Sequence, residues 1–185
     1  MIDGGMTISP EQGAEVAREA GTKRAARPLY TPEQRVRRDA TRWTLVQGIL
    51  APIQFLVFAV SAVLVLRSLL TGEGVLAAHI SIIVKTILLY TIMVTGAIWE
   101  KVVFGQYLFA EAFFWEDAVS FVVIALHTLY LGGLLTGRLS TRALLLVTLA
   151  AYTVYVINAV QFVLKLRAAR LQEARDRSQH LAESA

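Results

Sequence analysis

Trp43-Thr-Leu-Val-Gln-Gly-Ile-Leu-Ala-Pro-Ile-Gln-Phe-Leu-Val-Phe-Ala-Val-Ser-Ala-Val-Leu-Val-Leu66 runs for 24 residues without a charge. About 20 such residues cross the hydrocarbon core of a bilayer as one helix. Two more uncharged blocks follow, Ala118–Gly137 over 20 residues and Ala143–Leu164 over 22. Val75–Trp99 is long enough for another span, although it carries His79 and Lys85. The pattern predicts an all-α polytopic membrane protein, a bundle of four transmembrane helices. A hydrophobic fraction of 56% agrees, since soluble domains carry less.

Charge sets the expected orientation. Eight basic residues precede the first span and five follow the last, whereas Glu100–Asp117 is acidic apart from Lys101. Basic tails around an even number of spans predict both termini on the cytoplasmic side, N-in/C-in. The run Arg35, Arg37, Arg38, Arg42 beside a span reads as a headgroup anchor, so no nucleic-acid partner is expected. No short apolar stretch near the start leads to a small-residue cleavage site, so a secretory signal is not expected. The chain has no cysteine, which excludes disulfides, thiolate nucleophiles and cysteine-bound metal. His79, His127 and His180 lie far apart, and a resident metal site is not expected.

The organisation follows from the same pattern. Residues 1–28 read as a mobile extension and residues 173–185 as a C-terminal tail, around a four-helix domain at 29–172. Thr31-Pro-Glu-Gln34 has an N-cap, a first-position proline and a capping-box glutamine. The helix it starts leads along the surface into the first span at Trp43. Pro52 is expected to kink that span. Glu100–Trp115 is too aromatic for a solvated loop and is placed in the interface or folded partly into the bundle.

Ionisable groups at membrane depth are costly and mark candidate sites. Glu100 and Glu116/Asp117 flank the aromatic loop and should sit at one level. Gln47, Asn158 and Gln161 lie within roughly 6–11 Å of that interface, at 1.5 Å of rise per residue. Carboxylates and amides therefore converge on the cytoplasmic half. Each also has a plainer reading: the acids as interfacial charges paired with Lys101, Arg42 or Lys165, the amides as interhelical glue. Glu116 shares a face with Ser120 and His127, and Asp117 lies about 100° away. Glu116 is the first candidate for an essential acid and Glu100 the second. His127 reads as either a packing residue or a ligand. Lys85 either snorkels outward or pairs with an acid.

Leu29-Tyr-Thr-Pro-Glu-Gln34, continued by Arg38-Asp-Ala-Thr-Arg-Trp-Thr-Leu-Val-Gln-Gly48, resembles the start of a known family, the 3-vinyl (bacterio)chlorophyllide hydratases of bacteriochlorophyll biosynthesis. These were historically called 2-vinyl bacteriochlorophyllide hydratases. Lys85–Phe109, Phe113-Phe-Trp-Glu-Asp117, Ala125-Leu-His-Thr-Leu-Tyr130 and Tyr155-Val-Ile-Asn158 are similar as well. The likeness extends over about residues 29–172.

The resemblance implies a hydro-lyase that adds water to the C3 vinyl group of chlorophyllide a or a related magnesium chlorin, giving a 1-hydroxyethyl group. It implies a bacteriochlorophyllide precursor as substrate and a cytoplasmic or intracytoplasmic photosynthetic membrane, with other pigment-biosynthesis enzymes as possible partners. No cofactor is expected, because hydration leaves the oxidation level unchanged and the magnesium belongs to the substrate. The residues accommodate this chemistry. Glu116, Glu100 and Asp117 are candidates for proton transfer, and Asn158 or Gln161 for positioning water. His127 is a candidate ligand for the substrate magnesium. Tyr107, Phe114 and Trp115, with Phe104 and Phe113, are candidates for a flat apolar wall. Two competing readings remain: a pigment carrier holding a chlorin through His127 without chemistry, and a small transporter or structural bundle.

Overall fold

A computed structural model describes residues 29–183. The expected extension at 1–28 lies outside the described residues. Five helices and no strand occur among those described. They are α1 (Pro32–Ala40), α2 (Arg42–Thr71), α3 (Val75–Phe104), α4 (Phe114–Thr136) and α5 (Thr141–Glu183). α2 to α5 are each long and apolar enough to cross a membrane. α5 remains helical into the stretch read as a tail, and α2 runs through Pro52 without interruption.

Local chemistry fixes the start of the fold. The Gln34 amide donates to Thr31 Oγ1 at 3.3 Å, and the Thr31 amide donates to Gln34 Oε1 at 2.9 Å. This is the expected capping box, with Pro32 opening the helix. The chain does not run from α1 into the first span as one helix. Thr41 is extended (φ −85°, ψ 138°), ends α1, and caps α2 by accepting from the Trp43 amide. Thr44 Oγ1 reinforces the corner by donating to the Arg38 carbonyl at 2.6 Å.

α1 lies against α3 at one end of the bundle. Tyr30, just ahead of it, is buried and stacks on Phe104 at 5.8 Å. Arg38 sits over the Tyr30 ring at 4.7 Å and pairs with Glu173 of α5 at 2.9 Å. Burial pushes the Tyr30 phenol up to about 12 against the opposing pull of Arg38, so this anchor stays neutral.

The bundle consists of two antiparallel hairpins. α2 packs along α3, and α4 along α5; the hairpins meet chiefly through α2 and α5. Gly133 allows the second hairpin to close, because a Cβ there would stand 2.4 Å from Leu139 Cδ1. α3 and α4 touch little along their length. Side-chain hydrogen bonds that span that seam include His79 Nδ1 with the Tyr130 hydroxyl at 2.6 Å and the Tyr90 hydroxyl with Thr128 Oγ1 at 2.7 Å. Much of the outer surface is Leu, Ile, Val and Phe, as lipid contact requires.

Candidate active site

The aromatic loop is short, because α3 continues to Phe104. Gly105 ends α3 at φ 87°, where glycine bears no steric cost. Leu108 and Phe109 then take φ values of 56° and 55°, successive non-glycine residues in the left-handed region. Each costs roughly 1–2 kcal/mol there. The turn aims two consecutive amides at one place. The Phe109 amide donates to Asp117 Oδ2 at 2.6 Å, and the Ala110 amide donates to Glu100 Oε2 at 3.2 Å. Such paired amides favour bound negative charge.

Glu100 and Asp117, from the ends of two different helices, are buried side by side, held by the consecutive amides of Ala110 and Phe109. Glu116 is buried beside them but has a different partner. Lys165 Nζ of α5 donates to Glu116 Oε2 at 2.5 Å and also to the Ala112 carbonyl. Of the three acids, Glu116 therefore has its charge matched by a cation, and Glu100 and Asp117 have each other. One turn inward, Asn158 Nδ2 donates to Ser120 Oγ at 2.6 Å, while Asn158 Oδ1 has no partner among the described residues. Gln161 Oε1, one turn along α5, is likewise buried and unpartnered. Gln47 donates to Thr95 at 2.8 Å, the interhelical glue expected for an amide there.

The aromatic residues separate into two groups. Phe104 and Phe113 turn inward with Tyr30 and Trp99, whose rings stack and tilt around the buried end of the bundle. Phe114 and Trp115 point outward, Trp115 at 70% exposure, in a row with Phe109 and Phe121. Tyr107 is also exposed, with the Lys101 ammonium 5.3 Å from its ring. One continuous wall of Phe104, Tyr107, Phe113, Phe114 and Trp115 is therefore not formed.

Deeper in the bundle lies a second polar group. His127 is buried, and its Nδ1 meets the Val123 carbonyl at 2.8 Å. That acceptor puts the proton on Nδ1 and leaves Nε2, which has no partner, as a lone pair. Tyr152 lies 5.9 Å from the His127 ring and bonds Ser61 at 2.6 Å. Lys85 is 0% exposed and neither snorkels nor pairs with an acid; its Nζ rests 3.7 Å from the Tyr155 ring centre. No group of metal-binding side chains occurs among the described residues.

Sequence reasoning brought the acids and Asn158 to one end, and the structure does assemble them there. It missed the amide-bearing turn at Leu108–Phe109, because neither residue is of the glycine or asparagine type that signals a left-handed turn. It also missed Tyr30, and it placed Ser120 on the face of Glu116 without foreseeing its bond to Asn158. The capping box beside Tyr30 was a signal that structure begins there.

A family model, 2-vinyl bacteriochlorophyllide hydratase (BCHF), matches residues 30–168. The 2-vinyl bacteriochlorophyllide hydratase of Rhodobacter capsulatus is 70% identical over 146 residues, 79% of this chain and 85% of that protein. The protein of the same name from Cereibacter sphaeroides is 71% identical over 146 residues, 78% of this chain and 90% of that one. No solved structure matches. The chain belongs to the 2-vinyl bacteriochlorophyllide hydratase family.

Proposed function

We propose that this protein hydrates the C3 vinyl group of chlorophyllide a or a close magnesium-chlorin relative, with Glu100 and Asp117 as its proton-transfer pair. The observation that carries the assignment of residues is the burial of these two carboxyl groups on consecutive amides of one loop. Two carboxyl groups side by side cannot both ionise, so the pair holds one proton. That proton goes to the terminal vinyl carbon, forming a C–H bond and leaving a cation that the macrocycle delocalises. The carboxylate left behind stabilises the cation. Water then attacks the inner carbon, forming the C–O bond, and its released proton returns to the pair. The unpartnered oxygens of Asn158 and Gln161 are suited to accept hydrogen bonds from that water. Glu116, bound by Lys165, fixes α5 against the site and supplies charge near Asp117.

His127 Nε2 would take the axial position on the substrate magnesium, its tautomer set by the Val123 carbonyl. The same lone pair favours a second reading, a carrier that holds a chlorin unchanged. Incubating the purified protein with chlorophyllide decides between them. A product heavier by one water supports the hydratase; bound pigment of unchanged mass supports the carrier.

The membrane is proposed to be the cytoplasmic or intracytoplasmic photosynthetic membrane, with both termini and the carboxylate end on the cytoplasmic side. Arg35, Arg38 and Lys165 at that end support this orientation. Reporter fusions at 10, 106 and 180 should read cytoplasmic, and fusions at 72 and 139 the opposite. An external reading at 106 would invert the model.

A further inference from the structure

Lys85 takes no part in the chemistry above, yet it is the least comfortable side chain in the molecule. Its Nζ is buried against the Tyr155 ring, with no hydrogen-bond or ion-pair partner among the described residues. The flanking acids are out of reach. Glu100 is fifteen residues further along α3 and Glu73 twelve residues back, about 22 Å and 18 Å of helix rise. Glu73 is moreover exposed and paired with Arg67 at 3.1 Å. The Tyr155 face offsets only part of the cost of a buried charge. An amine held this way, without a partner of its own, is matched to a carboxyl group that arrives with a ligand.

Position narrows the ligand. Tyr155 is three residues from Asn158; Asn158 bonds Ser120, which is three residues from Asp117. The ring carrying the amine is thus attached about 9 Å of helix rise deeper than the acid pair. His127 is buried against Tyr152 of α5, three residues before the Tyr155 that carries Lys85, and Phe58 touches both tyrosine rings. Lys85 and His127 stand behind the sparse α3–α4 seam, which the Tyr90–Thr128 hydrogen bond crosses on the exposed face. A flat molecule entering there from the bilayer meets an amine, a nitrogen lone pair and an acid pair in order of decreasing depth.

We infer that Lys85, set beside His127 and below the Glu100–Asp117 pair, is the anchor for the free propionate carboxylate of the chlorin. The inference rests on the chlorin reading and adds a specificity to it. A chlorophyllide is a free acid, whereas the same pigment esterified at the propionate has no charge there. Lys85 therefore selects the acid and orients the ring so that the vinyl edge faces the carboxyl pair. It is a binding residue, not a proton donor.

The test compares chlorophyllide with its propionate methyl ester, by visible-spectrum titration and product mass, on the intact protein in detergent. The wild type should bind the acid on the order of 10- to 100-fold more tightly than the ester. Lys85→Met should bring the acid down to the ester's affinity, and Lys85→Arg should keep part of the preference. The wild-type comparison needs no variant, and Met retains an unbranched chain where an unpaired amine stood. Equal binding of acid and ester, no binding of either, or a preference that survives Lys85→Met overturns the anchor. The two readings fail separately. Selective, Lys85-dependent binding without a water adduct removes the hydratase and leaves the anchor. Equal hydration of acid and ester removes the anchor and leaves the hydratase.

Discussion

The two polar regions of this bundle solve opposite problems. At the loop end, Glu100, Asp117 and Glu116 are buried but matched: by each other, by the Phe109 and Ala110 amides, and by Lys165. In mid-bundle, Lys85 Nζ and His127 Nε2 are buried and unmatched. A buried polar group without a partner costs about 1–3 kcal/mol, and more when charged. A fold that carries this cost in one region and meets every charge in the other separates two tasks. The matched region holds a proton in a fixed geometry. The unmatched region receives something.

The largest effect should come from the matched region. Asp117→Asn and Glu100→Gln preserve size and most hydrogen bonds but remove the shared proton. Hydration should fall about 10²- to 10⁴-fold in each variant, while chlorin binding persists. Near-wild-type turnover in both, in well-folded samples, would remove the carboxyl pair from the mechanism.

The unmatched region gives the next effect, on binding and not on proton transfer. His127→Gly should weaken chlorophyllide binding by about tenfold or more, and added imidazole should restore the axial-ligand shift in the visible spectrum. A merely packing role predicts lost stability without imidazole rescue. If His127→Gly leaves the bound-pigment spectrum unchanged, the division between the two regions fails.

Much of this division was legible in the sequence, and the illegible parts share a cause. Uncharged runs the length of a bilayer announce a span without reference to neighbours, so three helices could be read directly, and the fourth from its length despite Lys85. The Thr31–Gln34 capping box is likewise local, and it is present as expected. The convergence of Glu100, Glu116, Asp117 and Asn158 needed only antiparallel spans and helix rise. Lys165 was one of three cations weighed as partners for the acids, but which acid it takes was beyond reach, because that depends on which side chain the facing helix presents. Glu116 shares its face with His127, which made it the first candidate, but Lys165 from α5 occupies it. Asp117, about 100° around the helix, is enclosed instead by the returning loop. Lys85 was expected to snorkel or to find an acid; instead its Nζ rests on the Tyr155 ring, with no hydrogen-bond partner among the described residues.

The Glu116–Lys165 pair tests the matched region more finely. As a buried ion pair it should show coupling. Glu116→Gln and Lys165→Met should each lower the yield of folded protein, and the double variant should recover part of the loss, because the unpaired partner is gone. Turnover per folded molecule should fall far less in Glu116→Gln than in Asp117→Asn. A drop as deep as that of Asp117→Asn would return Glu116 to the reacting group.

The smallest effect concerns the turn that builds the matched region. Leu108 stands at φ 56°, where a Cβ is crowded by the following carbonyl and glycine is not. Leu108→Gly relieves that crowding at the expense of greater freedom in the unfolded chain. Leu108→Ala keeps the crowding and gives up the same side-chain contacts beyond Cβ. The contrast isolates the backbone: the glycine variant should be the more stable of the two by about 1 kcal/mol, read as a higher unfolding midpoint. Both should still present the Phe109 and Ala110 amides to Asp117 and Glu100, since neither substitution removes an N–H. If alanine proves the more stable, the left-handed turn is not what holds the carboxyl pair. The contrast between a proton-holding end and a ligand-receiving middle would then need another structural basis.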